Sequence, residues 1–247
     1  MSPQTILFDL DDTLIHCNKY FDIVLERFGK IMMSWFSEYS VRETEIREMQ
    51  LEIDLAGVHV HGLKAERFPQ SLAETYEHFS KKCGRPVHSG EIEQLLELGN
   101  SVYVHSIEPY PDMEQTLDQL TSSGHELFLY TGGDPSIQMR KVRDGNLERY
   151  FKDVFIALHK TVDFMDSLLT SQHFDRHRTW MIGNSLRTDV MPALEAGIHA
   201  IHIPAMLEWK YNVVDITAKP KGAFYQLTAL REVPNAIHLY SSKTAGL

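Results

Sequence analysis

The sequence predicts an α/β fold in which a parallel β-sheet is flanked by helices and one all-helical segment is inserted early in the chain. Two observations support this prediction. Short apolar runs typical of buried strands alternate with longer segments of helical periodicity, an order that gives parallel strand pairing through right-handed crossovers. Residues 16–109, by contrast, show helical periodicity throughout. We therefore expect a core of residues 1–15 and 110–247 and a separate helical domain of residues 16–109.

Composition and charge limit the possible functions. The chain has 247 residues, of which 43% are hydrophobic and 23% are charged, as in ordinary soluble globular proteins. Its net charge of -10 offers no basic surface for nucleic acid. Cys17 and Cys83 indicate no disulfide framework, and no apolar run reaches the roughly 18 residues of a membrane span. Since no basic leader precedes the first strand, we expect a cytoplasmic protein without nucleic-acid or membrane partners; the sequence leaves its oligomeric state open.

The first predicted strand, residues 6–8, ends in a cluster of carboxylates, Asp9, Asp11 and Asp12, followed by Thr13. Three acids at one strand end repel one another unless a positive charge lies among them. A capping aspartate for the next helix would need only one acid, so a bound divalent cation, most simply Mg²⁺, explains the cluster better. Asp9 and Asp11 point to the same side of a strand. There, one carboxylate can attack phosphorus while the other moves a proton.

The inserted segment predicts four helices. A turn is expected at residues 57–62, and Ser71 with Glu74 predicts a capping box at the start of the third helix. Pro109 and Pro111 predict the linker back to the core, because proline disfavours a helix there. The apolar stripe of the first helix includes Phe21, Val24, Leu25, Phe28, Ile31 and Met32.

Four more strand-like runs follow, at residues 126–130, 154–158, 179–182 and 198–204. Thr131, Gly132 and Gly133 come directly after the first of these runs. A hydroxyl and backbone N–H groups at such a turn can bind an anion, although this stretch alone is more typical of an ordinary glycine turn. Asp134 and Pro135 then begin a helix, as N-cap and first helical residue.

Polar residues also follow the next two runs. Lys160 comes after residues 154–158, and Asn184 and Asp189 come after residues 179–182. On its own, a lysine at a strand end is typical of a solvated surface. His199 and His202, in the last run, are expected to have structural roles.

Taken in this order, the motifs resemble those of the haloacid dehalogenase superfamily. The matching residues are Asp9, Asp11 and Thr13 for its D-x-D-x-T motif, then Thr131, Lys160, and Asn184 with Asp189. Asn184 departs from the family pattern, which typically has an aspartate there. The resemblance covers essentially the whole chain. It implies a Rossmann-like core and a helical cap inserted after the first strand.

For function, the resemblance implies a magnesium-dependent phosphohydrolase that cleaves a small phosphate monoester through an aspartyl-phosphate. Asp9 would be the nucleophile and Asp11 the general acid and base, while Thr131, Gly132 and Lys160 would bind the transferred phosphoryl group. The ligands of Mg²⁺ would come from Asp9, Asp11, Asn184 and Asp189. The substrate is expected to be a small phosphorylated metabolite.

Other activities of the same fold remain as alternatives. A dehalogenase is disfavoured because a halide leaving group needs no proton, which leaves Asp11 without a role. A phosphomutase would keep all four motifs, whereas a phosphonatase would need a cap lysine in a motif that is not recognisable here. A non-catalytic binding protein would have no reason to retain Asp9, Asp11 and Lys160 together. Within the cap, His61, Lys64 or Arg67 is hypothesised to contact the substrate.

Overall fold

The computed structural model describes residues 3–217 and 219–244. The chain divides into two compact units, one formed by Met1–Asn18 with Ile107–Leu247 and the other by Lys19–Ser106. The boundaries expected from the sequence lie after residue 15 and before residue 110. Each unit has its own apolar core, so we describe the units separately.

The first unit contains a six-stranded sheet in the order β3-β2-β1-β4-β5-β6. Its strands are β1 Thr5–Phe8, β2 Glu126–Gly132, β3 Val154–Ala157, β4 Thr179–Gly183, β5 His199–His202 and β6 Phe224–Gln226. All five neighbouring pairs are parallel. The helices of this unit are α5 Met113–Ser122, α6 Pro135–Asp144, α7 Val162–Ser171, α8 Met191–Ala196 and α9 Val233–Thr244. The predicted α/β class with a parallel, Rossmann-like sheet is therefore confirmed.

The central strand β1 is apolar on both faces, as expected for a parallel sheet covered by helices on each side. Ile6 and Phe8 pack into one core cluster, together with Leu117 of α5 and Ile237 of α9. Leu7 points the other way and packs with residues of α7 and α8. Side chains alternate along a strand, so this short run supplies both layers of the core.

Strand β6 was not predicted from the sequence. It has only three residues and lies at the edge of the sheet, paired with β5. A segment this short shows no measurable alternation of apolar and polar residues, and its pairing depends on the position of β5.

The second unit is helical in its described elements, which are α1 Asn18–Trp35, α2 Glu43–His61, α3 Arg67–Cys83, α4 Ser89–Asn100 and a short 3₁₀ helix, Ser101–Tyr103. Its core contains apolar residues from all four α-helices, including Phe28, Ile46, Tyr76 and Leu95. The four predicted helices are therefore present.

Two details of this helical unit were predicted wrongly. Gly57 lies inside α2 rather than in a turn, and a Cβ there would lie 2.8 Å from Arg67 Nε, so the glycine makes room for that side chain. Helix α3 begins at Arg67, four residues before the predicted start, because Pro69 is tolerated within the first turn of a helix. Ser71 is consequently buried inside the helix, and its hydroxyl donates to the carbonyl of Phe68.

In the described part of the chain, no helix combines the length and apolarity that crossing a bilayer requires.

Candidate active site

The predicted site residues lie at the carboxyl ends of four neighbouring strands, where ligands of open parallel sheets gather. Asp9 comes after β1, Thr131 lies near the end of β2, Lys160 follows β3, and Asn184 follows β4. Because these four strands are parallel neighbours in the sheet, residues far apart in sequence are brought together at the carboxyl ends of the strands.

Lys160 joins two carboxylates at these strand ends. Its ammonium lies 2.9 Å from Asp9 Oδ1 and also forms a hydrogen-bonded ion pair with Asp189. All three side chains are buried. Burial disfavours the charge of Asp9 and raises its pKa to about 7, although Lys160 opposes this effect. Burial alone would lower the pKa of Lys160, but the charges of Asp189 and Asp9 outweigh it and raise that pKa above its ordinary value.

Asp189 occupies a space that only glycine at position 183 allows. A Cβ on Gly183 would lie 2.2 Å from Asp189 Oδ2. The same oxygen accepts a hydrogen bond of 2.9 Å from the backbone N–H of Ser185. Asp189 belongs to a π-helical turn, Leu186–Val190, a form often found at functional sites. The turn directs this carboxylate back toward Lys160.

Thr13 connects the ends of β1 and β4. Its hydroxyl lies 3.1 Å from Asp9 Oδ2 and 3.3 Å from Asn184 Oδ1, and it accepts a hydrogen bond from the Asn184 backbone N–H. The Asn184 amide nitrogen lies 3.4 Å from Glu208 Oε1. The side-chain oxygen of Asn184 therefore faces the Thr13 hydroxyl, and its amide nitrogen faces Glu208.

Asp11 lies in a second group of contacts. Each of its carboxylate oxygens is 2.8 Å from Lys141 Nζ. Gln138 Nε2 donates to Asp11 Oδ2 at 3.0 Å and to Thr131 Oγ1 at 2.6 Å. Gln138 thus links two predicted site residues, Asp11 and Thr131.

Gln138 and Lys141 were not identified from the sequence. Both lie on α6, three residues apart and therefore on the same face of the helix. The available signal was this i, i+3 pair of polar side chains on a helix that begins directly after Thr131, Gly132 and Gly133.

Asp12 has a structural role. Its carboxylate accepts hydrogen bonds from the backbone N–H groups of Cys17 and Asn18, at 3.1 Å and 2.8 Å, where α1 begins. Its φ of 60° is left-handed, a conformation that aspartate tolerates better than most residues. The capping interpretation of the acidic stretch therefore applies to Asp12, and the catalytic roles of Asp9 and Asp11 stay predictions.

His199 and His202 have the structural contacts that were expected of them. His199 Nδ1 accepts from the Ala223 backbone N–H at 2.8 Å, so its Nε2 carries the proton and donates to the His177 carbonyl. His202 Nε2 lies 2.9 Å from the Asn184 carbonyl oxygen.

Comparison with known families identifies this arrangement. The model of the haloacid dehalogenase-like hydrolases matches residues 6–203, which include all the predicted site residues. The chain belongs to the haloacid dehalogenase-like hydrolase family. The resemblance drawn from the sequence motifs is thereby confirmed.

Two proteins similar to this hydrolase share about a quarter or less of its residues. The pyrimidine 5'-nucleotidase PynA of Streptococcus pneumoniae (strain ATCC BAA-255 / R6) is 24% identical over 211 residues, which cover 81% of this chain and 84% of PynA. A haloacid dehalogenase-like family hydrolase from Xanthomonas campestris matches with a TM-score of 0.80 at 20% identity, over 98% of this chain and 94% of its own.

Two further structures show how widely the fold is used. The HAD-hydrolase YfnB from Bacillus subtilis, solved bound to magnesium, has a TM-score of 0.64 at 16% identity and covers 96% of this chain and 100% of its own. The L-2-haloacid dehalogenase from Xanthobacter autotrophicus has a TM-score of 0.60 at 17% identity and covers 96% and 99%. Likenesses at such low identity show the fold alone.

The oxygen donors of the hydrolase suit a hard divalent cation. Among the residues that the structure describes, no three His, Cys, Asp or Glu side chains converge to hold a metal ion. Mg²⁺, however, commonly binds one or two carboxylates and completes its shell with water and substrate oxygens. Asp9 and the Asn184 amide oxygen, both in contact with Thr13, are donors of this kind. Two buried carboxylates opposed by one ammonium also leave an excess of negative charge there.

The other two predicted metal ligands are engaged by protein groups. Asp11 is paired with Lys141 through both oxygens. Asp189 is paired with Lys160 and with the Ser185 amide. Direct contacts of Asp11 and Asp189 with a metal therefore stay predictions.

Proposed function

We propose that this hydrolase is a magnesium-dependent phosphatase that cleaves a small phosphate monoester through an aspartyl-phosphate on Asp9. The observation that supports this most directly is the buried ion pair between Asp9 and Lys160. A second carboxylate, Asp11, follows Asp9 by two residues. The nucleotidase activity named for the S. pneumoniae relative supports a phosphorylated substrate. A nucleoside monophosphate is therefore the first candidate.

In the first proposed step, a carboxylate oxygen of Asp9 attacks phosphorus in line. The new O–P bond forms as the P–O bond to the leaving group breaks, and the leaving oxygen keeps the electron pair and takes a proton from Asp11. In the second step, Asp11 takes a proton from water as the water oxygen attacks phosphorus; the P–O bond to Asp9 breaks, the Asp9 carboxylate keeps the electron pair, and inorganic phosphate leaves. Asp9 and Asp11 then return to their starting forms.

The positive groups of the site would neutralise the phosphoryl oxygens. An ammonium has three N–H donors; in Lys160 two serve Asp9 and Asp189, and the third would serve a phosphoryl oxygen. The Thr131 hydroxyl and the Gly132 amide would bind the remaining oxygens. Mg²⁺, held by Asp9 and Asn184, would supply further charge neutralisation at the phosphoryl group.

The structural neighbours include dehalogenases, which makes halide displacement the main competing reaction. A halide leaves without a proton, so it does not need the carboxylate of Asp11. Here Asp11 has two dedicated partners, Lys141 and Gln138. These contacts hold the second carboxylate in place, which supports a reaction whose leaving oxygen must be protonated.

We also propose that the helical unit, Lys19–Ser106, is the cap domain of this family member and contributes to substrate selection. Of the three residues hypothesised to contact substrate, Arg67 hydrogen-bonds Gln70 and Glu74 within α3. His61 and Lys64 are therefore the better candidates for substitution.

The test is a panel of nucleoside monophosphates, sugar phosphates and phosphorylated acids, each assayed for phosphate release with and without Mg²⁺. We expect magnesium-dependent turnover of at least one compound by the wild type and its loss in Asp9→Asn. Asp144→Asn, which removes an exposed carboxylate from α6, is the matched control and should leave turnover unchanged. Full turnover by Asp9→Asn would falsify the covalent mechanism. If the enzyme instead moved the phosphoryl group to another hydroxyl of the same sugar phosphate without releasing inorganic phosphate, it would be a phosphomutase.

A further inference from the structure

The Asp11 side chain makes several contacts with a single helix. Its side chain accepts three hydrogen bonds from α6, two from Lys141 and one from Gln138. Lys141 also lies 3.8 Å from Cys17 Sγ, and its side chain is only 13% exposed. A buried ammonium is destabilising unless it is paired, so this lysine would be an unfavourable choice if α6 served packing alone.

The start of α6 fixes where these two side chains lie. Asp134 caps the helix by accepting from the Ser136 and Ile137 amides, and Pro135 occupies the first helical position. Gln138 and Lys141 then follow one turn apart on one face. The apolar residue Val142 lies in the core of the sheet unit instead. The helix is therefore anchored by apolar packing while its polar pair reaches the end of β1.

Gln138 connects two of the predicted site residues, Asp11 and Thr131. Its single amide nitrogen donates both to Asp11 Oδ2 and to Thr131 Oγ1. An amide NH₂ has two protons, so both bonds form at once and fix the Asp11 carboxylate beside the Thr131 hydroxyl.

We infer that Gln138 and Lys141 are positioning residues that hold Asp11 where it protonates the leaving oxygen. This inference rests on the proposed phosphatase function. Lys141 faces both carboxylate oxygens of Asp11. Gln138 joins one of these oxygens to the Thr131 hydroxyl. Together the two residues hold the Asp11 side chain at one place beside the residues proposed to bind the phosphoryl group.

The inference predicts a dependence on the leaving group. The alkoxide of a sugar or a nucleoside is a poor leaving group, because it is strongly basic. It therefore needs a proton from Asp11 as the P–O bond breaks. The phenolate released from 2,4-dinitrophenyl phosphate leaves without it. Loss of correct positioning should therefore slow alkyl phosphates far more than this aryl phosphate, whereas general damage to the fold would slow both alike.

The experiment measures kcat/KM for 2,4-dinitrophenyl phosphate and for the best alkyl phosphate of the panel, in Mg²⁺, with wild type, Asp11→Asn, Lys141→Met and Gln138→Met. General acid catalysis typically contributes about 10²- to 10⁴-fold. We expect Asp11→Asn to lose at least about 100-fold more with the alkyl than with the aryl phosphate. Lys141→Met and Gln138→Met should each show a differential loss of about 10-fold or more. Arg143→Met, an exposed change on the same helix, should behave as wild type.

The outcomes distinguish failure of the positioning role from failure of the proposed phosphatase function. Equal losses with both substrates in Lys141→Met and Gln138→Met would overturn the positioning role, as would wild-type behaviour of both variants. If Lys141→Met fails to fold, Gln138→Met, which keeps the Lys141–Asp11 ion pair, decides alone. If the wild type hydrolyses neither substrate, the proposed function itself fails.

Discussion

Asp189 reaches Lys160 through a space left by Gly183, where a Cβ would lie 2.2 Å from Asp189 Oδ2. The absence of a side chain at one residue thus determines the position of a carboxylate six residues later. Gly183 is also the last residue of β4, so the strand cannot shift to accommodate a larger residue without disturbing the sheet.

Gly183→Ala should therefore damage both stability and activity. Overpacking of this kind typically costs about 1–3 kcal/mol of unfolding free energy, and the displaced Asp189 would lose its contact with Lys160. Urea unfolding and magnesium-dependent phosphate release measure the two effects. Gly90→Ala is the matched control, because a Cβ at Gly90, in the first turn of α4, meets nothing within 4 Å. It should be neutral or stabilise by up to about 1 kcal/mol.

Lys160→Met should be more damaging than the loss of an exposed lysine. Removing one partner from a buried ion pair leaves an uncompensated charge, which typically destabilises by about 3–5 kcal/mol. Here two carboxylates, those of Asp9 and Asp189, would face each other without the ammonium. Chemical unfolding in the absence of metal measures this change. Lys152→Met, which breaks an ion pair with Glu126 at exposed side chains, should shift stability by no more than about 1 kcal/mol; similar losses in the two variants would contradict the prediction.

Asn184→Asp should have opposite effects with and without magnesium. The new carboxylate would lie about where the amide nitrogen now faces Glu208 Oε1 at 3.4 Å, so like charges would meet in metal-free protein and lower the melting temperature. A second acid near Asp9 should in turn strengthen Mg²⁺ binding. Thermal unfolding with and without MgCl₂ measures both effects. Adding Glu208→Gln to Asn184→Asp should relieve the metal-free loss; if it does not, Glu208 is not the source of the repulsion.

Asp54 makes the stability of the helical unit depend on pH. Burial raises the pKa of this α2 residue from 3.8 to about 6, and Arg67 opposes the rise only in part. The folded chain therefore binds the proton more tightly than the unfolded chain. Burying the ionised Asp54 carboxylate therefore lowers the free energy of unfolding. This loss is absent below about pH 4, grows between about pH 4 and 6, and is complete above pH 6.

Asp54→Asn should remove this penalty. We expect the variant to exceed wild type in unfolding free energy by roughly 1–3 kcal/mol at pH 7 and to match it near pH 4. Urea unfolding at both pH values measures the difference. Asp144→Asn, at an exposed carboxylate, should show no such dependence, and an equal gain for Asp54→Asn at both pH values would refute the assignment.

Local patterns predicted much of the fold correctly. The strand at residues 6–8 is recognisable because its three apolar residues are buried on both faces of the sheet. Asp134 and Pro135 mark the start of α6 because capping depends only on neighbouring residues. Ser71 and Glu74 fit a capping pattern equally well, yet α3 begins earlier and buries Ser71. Local capping signals thus identified the presence of α3 but not its first residue.

The sequence by itself determined the α/β class, the family, and the polar residues at the ends of the first four strands, because strand periodicity and short motifs depend on neighbouring residues. Only the tertiary structure revealed Gln138 and Lys141 as partners of Asp11, Glu208 as a neighbour of Asn184, and the space at Gly183 that admits Asp189. Those contacts depend on which strands lie side by side, and some of them join residues more than a hundred positions apart. No local pattern specifies such a distance, since it is set by the packing of the whole sheet.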